Sequence, residues 1–241
     1  MKKIYDKNEL NFALIWIGIY VVLMSVADSF SGKIGITKIV TAPVCIALTL
    51  IIYFWIRRNA LKEKYGLCSF KASVKKYLYF IPLLLLASTN LWWGLRLNFS
   101  LTESVLYVVS MLCAGFLEEM IFRGFLFKAL CKDNIKLAII ISSVTFGFGH
   151  IVNLLNGKEI PETLMQICYA VAIGFLFTII FYKGKSLWPC IITHSAINSL
   201  SAFANTEGAP IWLDIAGSLF LCVVSLTYAV YIIVTTKEEK E

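Results

Sequence analysis

Charge is scarce in this chain. Only 15% of its 241 residues are Asp, Glu, Lys or Arg, against about 25% in an ordinary soluble domain. Hydrophobic residues make up 59% and the mean hydropathy is +0.79, too apolar for a single water-soluble core. The apolar residues gather into runs of ~20, the length that crosses a bilayer. A soluble enzyme, a secreted disulfide scaffold and a disordered chain are thereby excluded. A chain of this length has room for one transmembrane domain and no sizeable soluble domain beside it.

Other things are missing too. The seven cysteines (Cys45, Cys68, Cys113, Cys131, Cys168, Cys190 and Cys222) are scattered, mostly within apolar runs. No pair has CxxC spacing, so neither a zinc knuckle nor a disulfide framework is implied. No HExxH occurs, which excludes a conventional zincin site. No repeat, low-complexity tract or long linker interrupts the chain. Lys2 and Lys3 precede an apolar stretch, as in a signal peptide, but that stretch has full membrane length and no small-x-small cleavage site follows it. It is read as an anchor that stays.

What is present is a series of eight expected spans, approximately 11–30, 37–57, 77–97, 103–127, 136–154, 163–182, 187–205 and 211–234. The fold class is all-α, a polytopic membrane helix bundle with about eight transmembrane helices. Lys and Arg between the spans set the orientation. With both termini in the cytoplasm, the outside segments carry only Lys33, Lys38, Arg96 and Lys158. The rest of the 22 basic residues lie inside, Arg123 within a span excepted. This explains the net charge of +7 without nucleic acid, because basic loops sit on an anionic inner leaflet and its lipids. The expected location is the cell membrane, multi-pass, with both termini cytoplasmic. Residues Lys237–Glu241 read as a solvated tail.

Three charges stand where charge is costly. The fourth span contains Glu118, Glu119 and Arg123 in an otherwise apolar helix, each costing about 2.5–3.5 kcal/mol at mid-membrane before any pairing. Glu119 and Arg123 are four apart and share a face, so they can pair. Glu118 points about 100° away and lacks that partner. Glu119 is therefore expected to be structural and Glu118 to serve as a general base. The chain has just two histidines, and both fall inside spans. His150 closes Phe146-Gly-Phe-Gly-His150, and His194 opens His194-Ser-Ala-Ile-Asn198. Small residues nearby (Gly147, Gly149, Ser195, Ala196 and Ser199) allow these helices to approach closely.

Glu118-Glu119-x-x-x-Arg123, Phe146-x-x-x-His150 and His194-x-x-x-Asn198, in that order on successive helices, resemble the CPBP family. This is the CAAX-protease and bacteriocin-processing (Abi) group of intramembrane proteases. The resemblance covers roughly residues 103–205. It implies an N-terminal region, 1–102, of transmembrane helices and a basic cytoplasmic loop, a catalytic core over 103–205, and a final helix and tail over 206–241. It further implies an intramembrane endopeptidase acting on a membrane-associated peptide or protein of CAAX or bacteriocin/pheromone type. Glu118 matches the family's catalytic glutamate and His150 the histidine that helps it activate water. His194 and Asn198 match the pair proposed to steady the oxyanion or complete a metal site, and Glu119 and Arg123 complete the first motif.

Physical chemistry permits either mechanism. Glu118 with His150 can polarise water while His194 and Asn198 donate to the oxyanion. Equally, His150, His194 and Glu118 are the ligand types zinc uses, and a fourth position would remain for water. The family's usual description favours a metalloprotease with zinc. Two other functions compete: a non-proteolytic bacteriocin immunity or scaffold protein, and a small transporter with a Glu–His proton relay. The lack of inverted repeats counts against the transporter. Counted along their helices, Glu118 and His194 lie nearer the cytoplasmic loops, so water and substrate are expected from that side.

Overall fold

Apolar runs in hydrocarbon must pair every backbone N–H and C=O within themselves, so they close into helices. The computed structural model describes residues 1–154, 157–205 and 210–236. The expected C-terminal tail, Lys237–Glu241, lies outside the described residues. Eight principal helices follow the short helix Lys2–Lys7: α1 (Glu9–Ile34), α2 (Thr41–Arg58), α3 (Ile81–Ser88), α4 (Leu101–Leu130), α5 (Ile135–Leu154), α6 (Ile160–Gly184), α7 (Trp188–Leu200) and α8 (Ile211–Thr235). Local chemistry marks several ends. Asn8 caps α1, accepting from Asn11 N at 2.8 Å, and Gly35 closes it with φ of 78°. Ser100 and Glu103 form a capping box on α4, while α3, α6 and α7 each begin with Pro in the first turn.

Six of these helices are long and apolar enough to cross a membrane; α3 and α7 are not. The expected span 77–97 contains an eight-residue α-helix flanked by 3₁₀ turns. Leu78, Tyr79 and Phe80 have positive φ and break the chain before it. The expected span 187–205 is helical over only 13 residues before a 3₁₀ turn, about 20 Å at the α-helical rise. Six membrane-length helices and two shorter ones thus make up the bundle in which about eight were expected. The two short elements compensate by pairing at both ends. Before them, Leu187 N donates to Gly66 O at 2.8 Å and Lys71 N to Gly184 O at 3.2 Å. Beyond them, Leu95 and Ala204 form an antiparallel bridge, and the Asn98 amide donates to the carbonyls of Ala202 and Ala204 at 3.0 and 2.9 Å.

α6 is the most deeply buried of the six long helices; it packs against α5 and α8, while α4 packs against α7. Outward faces stay apolar: Val22, Leu84, Leu112, Ile140, Leu164, Ile192 and Val223 are exposed, as lipid contact requires and water would not favour. The polar ends separate cleanly. Glu9 bridges Lys64 and Lys132 at one end, where Lys183 also donates to Thr236 O. Both described chain ends lie there. Asp28–Lys38 and the Thr37–Glu103 and Tyr107–Ser201 contacts occupy the other.

Close approach of α4 and α7 sets the site, and Gly115 permits it. A Cβ at Gly115 would lie 2.7 Å from Ser195 N and 2.9 Å from Ser195 Cα, atoms of the backbone that cannot rotate away. Gly115→Ala is expected to destabilise the protein by about 1–3 kcal/mol, as overpacking does. Thermal unfolding in detergent measures this; an unchanged midpoint would mean that α4 and α7 do not touch here.

Candidate active site

The first charged pair forms as its spacing implied. Glu119 and Arg123 are both fully buried, and Arg123 Nη1 donates to Glu119 Oε1 at 3.1 Å. The helix widens immediately after Glu119: Met120–Phe127 takes π-helical hydrogen bonding, and all eight of its residues are buried. Such insertions are frequent at functional sites. Arg123 lies flat against Phe146 of α5, its guanidinium carbon 4.1 Å from the ring centroid, a cation–π contact strengthened by the absence of water. Gly174 of α6 leaves room for the same guanidinium; a Cβ there would stand 3.0 Å from Nη2.

His194 joins this pair from α7. Its Nδ1 lies 2.8 Å from Glu119 Oε1, so one carboxylate oxygen ties α4 to α7. The opposite ring nitrogen, Nε2, stands 3.4 Å from Glu118 Oε2. A carboxylate only accepts, so the Nδ1 contact puts a proton on Nδ1.

Glu118 faces elsewhere. Its side chain retains 14% exposure and lines a cavity of about 490 Å³ shared with Tyr20, His150, Gln166 and Asn198. Tyr20 Oη donates to Glu118 Oε1 at 2.6 Å. Oε2 is buried and accepts no hydrogen bond from the described residues. One oxygen is thus anchored and the other left free to take a proton.

His194 Nε2 stands 3.4 Å from Glu118 Oε2, and His150 lines the same cavity as Glu118. His150 lies where α5 passes from α-helix into the 3₁₀ turn His150–Leu154. Phe146 contacts both imidazoles, its ring centroid 5.4 Å from that of His150 and 5.6 Å from that of His194; His150 lines the cavity, and His194 is buried beside the charged pair. His150 is held instead by Gln166, whose Nε2 is 3.4 Å from Nδ1.

Zinc was expected on Glu118, His150 and His194. Among the described residues no three His, Cys, Asp or Glu side chains are gathered to hold a metal ion. His194 has both nitrogens turned to carboxylates of one helix, and His150 has one nitrogen on an amide.

Access was expected from the side of the basic loops. From Glu118 the cavity reaches Asp28, Lys38, Lys158 and Ser201, the end away from the basic loops. Toward the basic end, the buried Met120–Phe127 segment closes the path. Phe125 packs against Phe12 and Tyr65 at 5.1 Å, and Phe127 against Phe181 at 6.1 Å. Counting residues to the nearest loop measures depth but not which side is sealed.

Tyr20 and Gln166 were not among the residues singled out from sequence. A tyrosine within a membrane span looks like any aromatic that packs there. Gln166 did carry a signal: it is a carboxamide in the apolar run of α6, where an unpaired polar group is costly.

With the site described, likenesses to known proteins become informative. Residues 100–200 match the family described as type II CAAX prenyl endopeptidase Rce1-like. The chain is also 30% identical over 126 residues to the "Putative membrane peptidase YdiL" of Bacillus subtilis (strain 168), an alignment covering 48% of this chain and 47% of that protein. The chain thus spans about half the length of that curated relative. The motif resemblance to the CAAX-protease and bacteriocin-processing group is borne out over the second half of the chain, and the matched region holds every motif residue.

Arg123→Ala would leave Glu119 buried without its cation. The expected loss is about 3–5 kcal/mol, as when one partner of a buried pair is removed, seen as reduced folded yield and a lower unfolding midpoint. A stable Arg123→Ala protein that lacks only activity would instead place Arg123 in the chemistry.

Proposed function

We propose that this chain, matched over residues 100–200 to type II CAAX prenyl endopeptidases, is an intramembrane endopeptidase. It hydrolyses a peptide bond of a membrane-associated peptide or protein of CAAX or bacteriocin/pheromone type. The observation that carries the reading is Glu118: a carboxylate with one oxygen held by Tyr20 and the other accepting no hydrogen bond from the described residues, His194 Nε2 standing 3.4 Å from it, on a polar cavity inside a bundle whose outer faces are apolar.

In this reading Glu118 Oε2 takes a proton from water, and the resulting hydroxide attacks the scissile carbonyl. Its proton then passes to the leaving amine as the C–N bond breaks, giving an acid and an amine. His194, beside Oε2, stabilises the protonated pair during that transfer. The carboxamide of Asn198 and the imidazole of His150 line the cavity where the substrate carbonyl would lie and supply hydrogen bonds to the oxyanion. Glu119 and Arg123 hold His194 in place and do not reach substrate.

Glu118→Gln keeps the volume and removes the base. Cleavage of a quenched-fluorescence farnesylated CAAX peptide, or of a pheromone-like peptide, should fall by at least about 100-fold, the order a positioned acid–base group contributes. Expression and membrane insertion should stay near normal. Wild-type turnover by this variant would rule out the general-base role.

The orientation belongs to the same proposal. The concentration of Lys and Arg at the end bearing both described chain ends supports a cytoplasmic location for that end. The cavity then opens on the opposite, extracytoplasmic face, and substrate enters there. Ser25 lines the cavity and takes no part in the chemistry. In a cysteine-free background, Ser25→Cys should react with an impermeant maleimide added outside intact cells. Labelling confined to inside-out vesicles would reverse the orientation.

A further inference from the structure

α1 carries none of the three motifs, yet it reaches the site. Phe12, Trp16 and Tyr20 recur at every fourth position and share one face of the helix, and all three are buried. At the basic end of the bundle Phe12 packs against Trp55 and Phe125, with ring centroids 4.8 and 5.1 Å away. About two turns further on, the same face brings the Tyr20 hydroxyl to Glu118 Oε1 at 2.6 Å. Both ends of α1 are tied. Glu9 pairs with Lys64 and Lys132 at one end, and Asp28 with Lys38 and the Thr41 hydroxyl at the other. The helix is thus fixed in height and rotation, and Tyr20 with it.

A carboxyl group does not hold its own direction. The last torsion of a Glu side chain is broad and nearly two-fold, so a half turn exchanges Oε1 and Oε2. A donor fixed on Oε1 removes that freedom and leaves Oε2, which accepts no hydrogen bond from the described residues, as the oxygen offered to water. We propose that Tyr20 is a positioning residue for peptide hydrolysis, its phenol holding the Glu118 carboxyl so that Oε2 meets the reacting water, and that α1 is thereby part of the catalytic machinery rather than an anchor alone. The proposal rests on reading the cavity as the site of peptide hydrolysis. A phenol suits this duty because it donates one hydrogen bond and brings no charge. A lysine or arginine there would hold the oxygen as firmly but would weaken the base it holds. Tyr20 gives up no proton in the reaction. Its O–H points to Oε1 whether Oε2 is bare or carries the proton taken from water. The carboxyl therefore keeps one direction from water activation to protonation of the leaving amine.

Three replacements of Tyr20 separate the hydrogen bond from packing. Tyr20→Phe removes only the hydroxyl. Replacement by 4-fluorophenylalanine also removes the donor but fills most of the hydroxyl's volume, while 4-aminophenylalanine keeps a donor at the same place. On the farnesylated or the pheromone-like peptide, Tyr20→Phe and the fluoro form should lower kcat at least about tenfold with KM within about twofold, the pattern of lost positioning in the transition state. The amino form should stay within about threefold of wild type. Wild-type kcat in Tyr20→Phe would overturn the proposal, as would an amino form as impaired as the fluoro form. If Tyr20→Phe fails to fold, the fluoro and amino forms decide. The contact itself is read without activity, from thermal unfolding midpoints in detergent. Tyr20→Phe should lower the midpoint of the wild type but not that of Glu118→Leu, where the hydroxyl has already lost its acceptor. Equal shifts in both backgrounds would overturn this proposal alone. A folded wild type that cleaves neither peptide would remove the peptidase reading, and the proposal with it, even where the midpoints are coupled.

Discussion

One oxygen atom holds the site together. Glu119 Oε1 accepts from Arg123 on its own helix and contacts His194 on another, and all three side chains are buried. In a medium without water, neither the arginine nor the carboxylate can find a substitute partner, so the geometry is fixed by the penalty for leaving it. Small residues make that geometry reachable. Gly115 lets α4 meet the backbone of α7, and Gly147 brings α5 within contact of the α6 backbone at Val171 and Ile167. The bundle's tight spots surround the charged cluster, as expected where packing and hydrogen bonding drive helix association instead of water.

The same arrangement separates two carboxylates that are neighbours in sequence. Glu119 is fully buried, and its Oε1 is held by Arg123 and His194. Glu118, turned about 100° around the helix, lines the cavity, with one oxygen held by a neutral phenol and the other 3.4 Å from His194 Nε2. Adjacent residues of one kind thereby acquire different surroundings through direction alone. The π-helical segment that follows is part of this division, because it fills the space between the cluster and the basic end of the bundle with Met120–Phe127 and leaves a single polar route away from Glu118.

Much of this was legible in the sequence, and for a stated reason. Charges in hydrocarbon are expensive, so Glu118, Glu119, Arg123, His150, His194 and Asn198 announced themselves by location, and the four-residue spacing of Glu119 and Arg123 foretold their contact. The helices were legible too, although α3 and α7 were read as full spans because hydropathy reports composition and not whether backbone φ stays negative through Leu78–Phe80. Pairings between distant segments were not legible. Tyr20 reaches Glu118 across 98 positions, and nothing local marks a tyrosine that donates from one that packs. How close each imidazole comes to Glu118 depends on how α5 and α7 are rotated against α4, and periodicity does not carry that.

The direction of the cavity follows from these tertiary facts and alters what the site can accept. Its far end carries Asp28, Lys38 and Lys158, and Lys38 is neutralised by Asp28 at 2.8 Å. Lys158 is exposed, and its ammonium lies 3.4 Å from the amide oxygen of Gln166. Two cations thus stand at the end of the cavity away from the basic loops, one of them neutralised by its carboxylate, so the polar route from Glu118 ends among charged groups rather than at the apolar outer faces of the bundle.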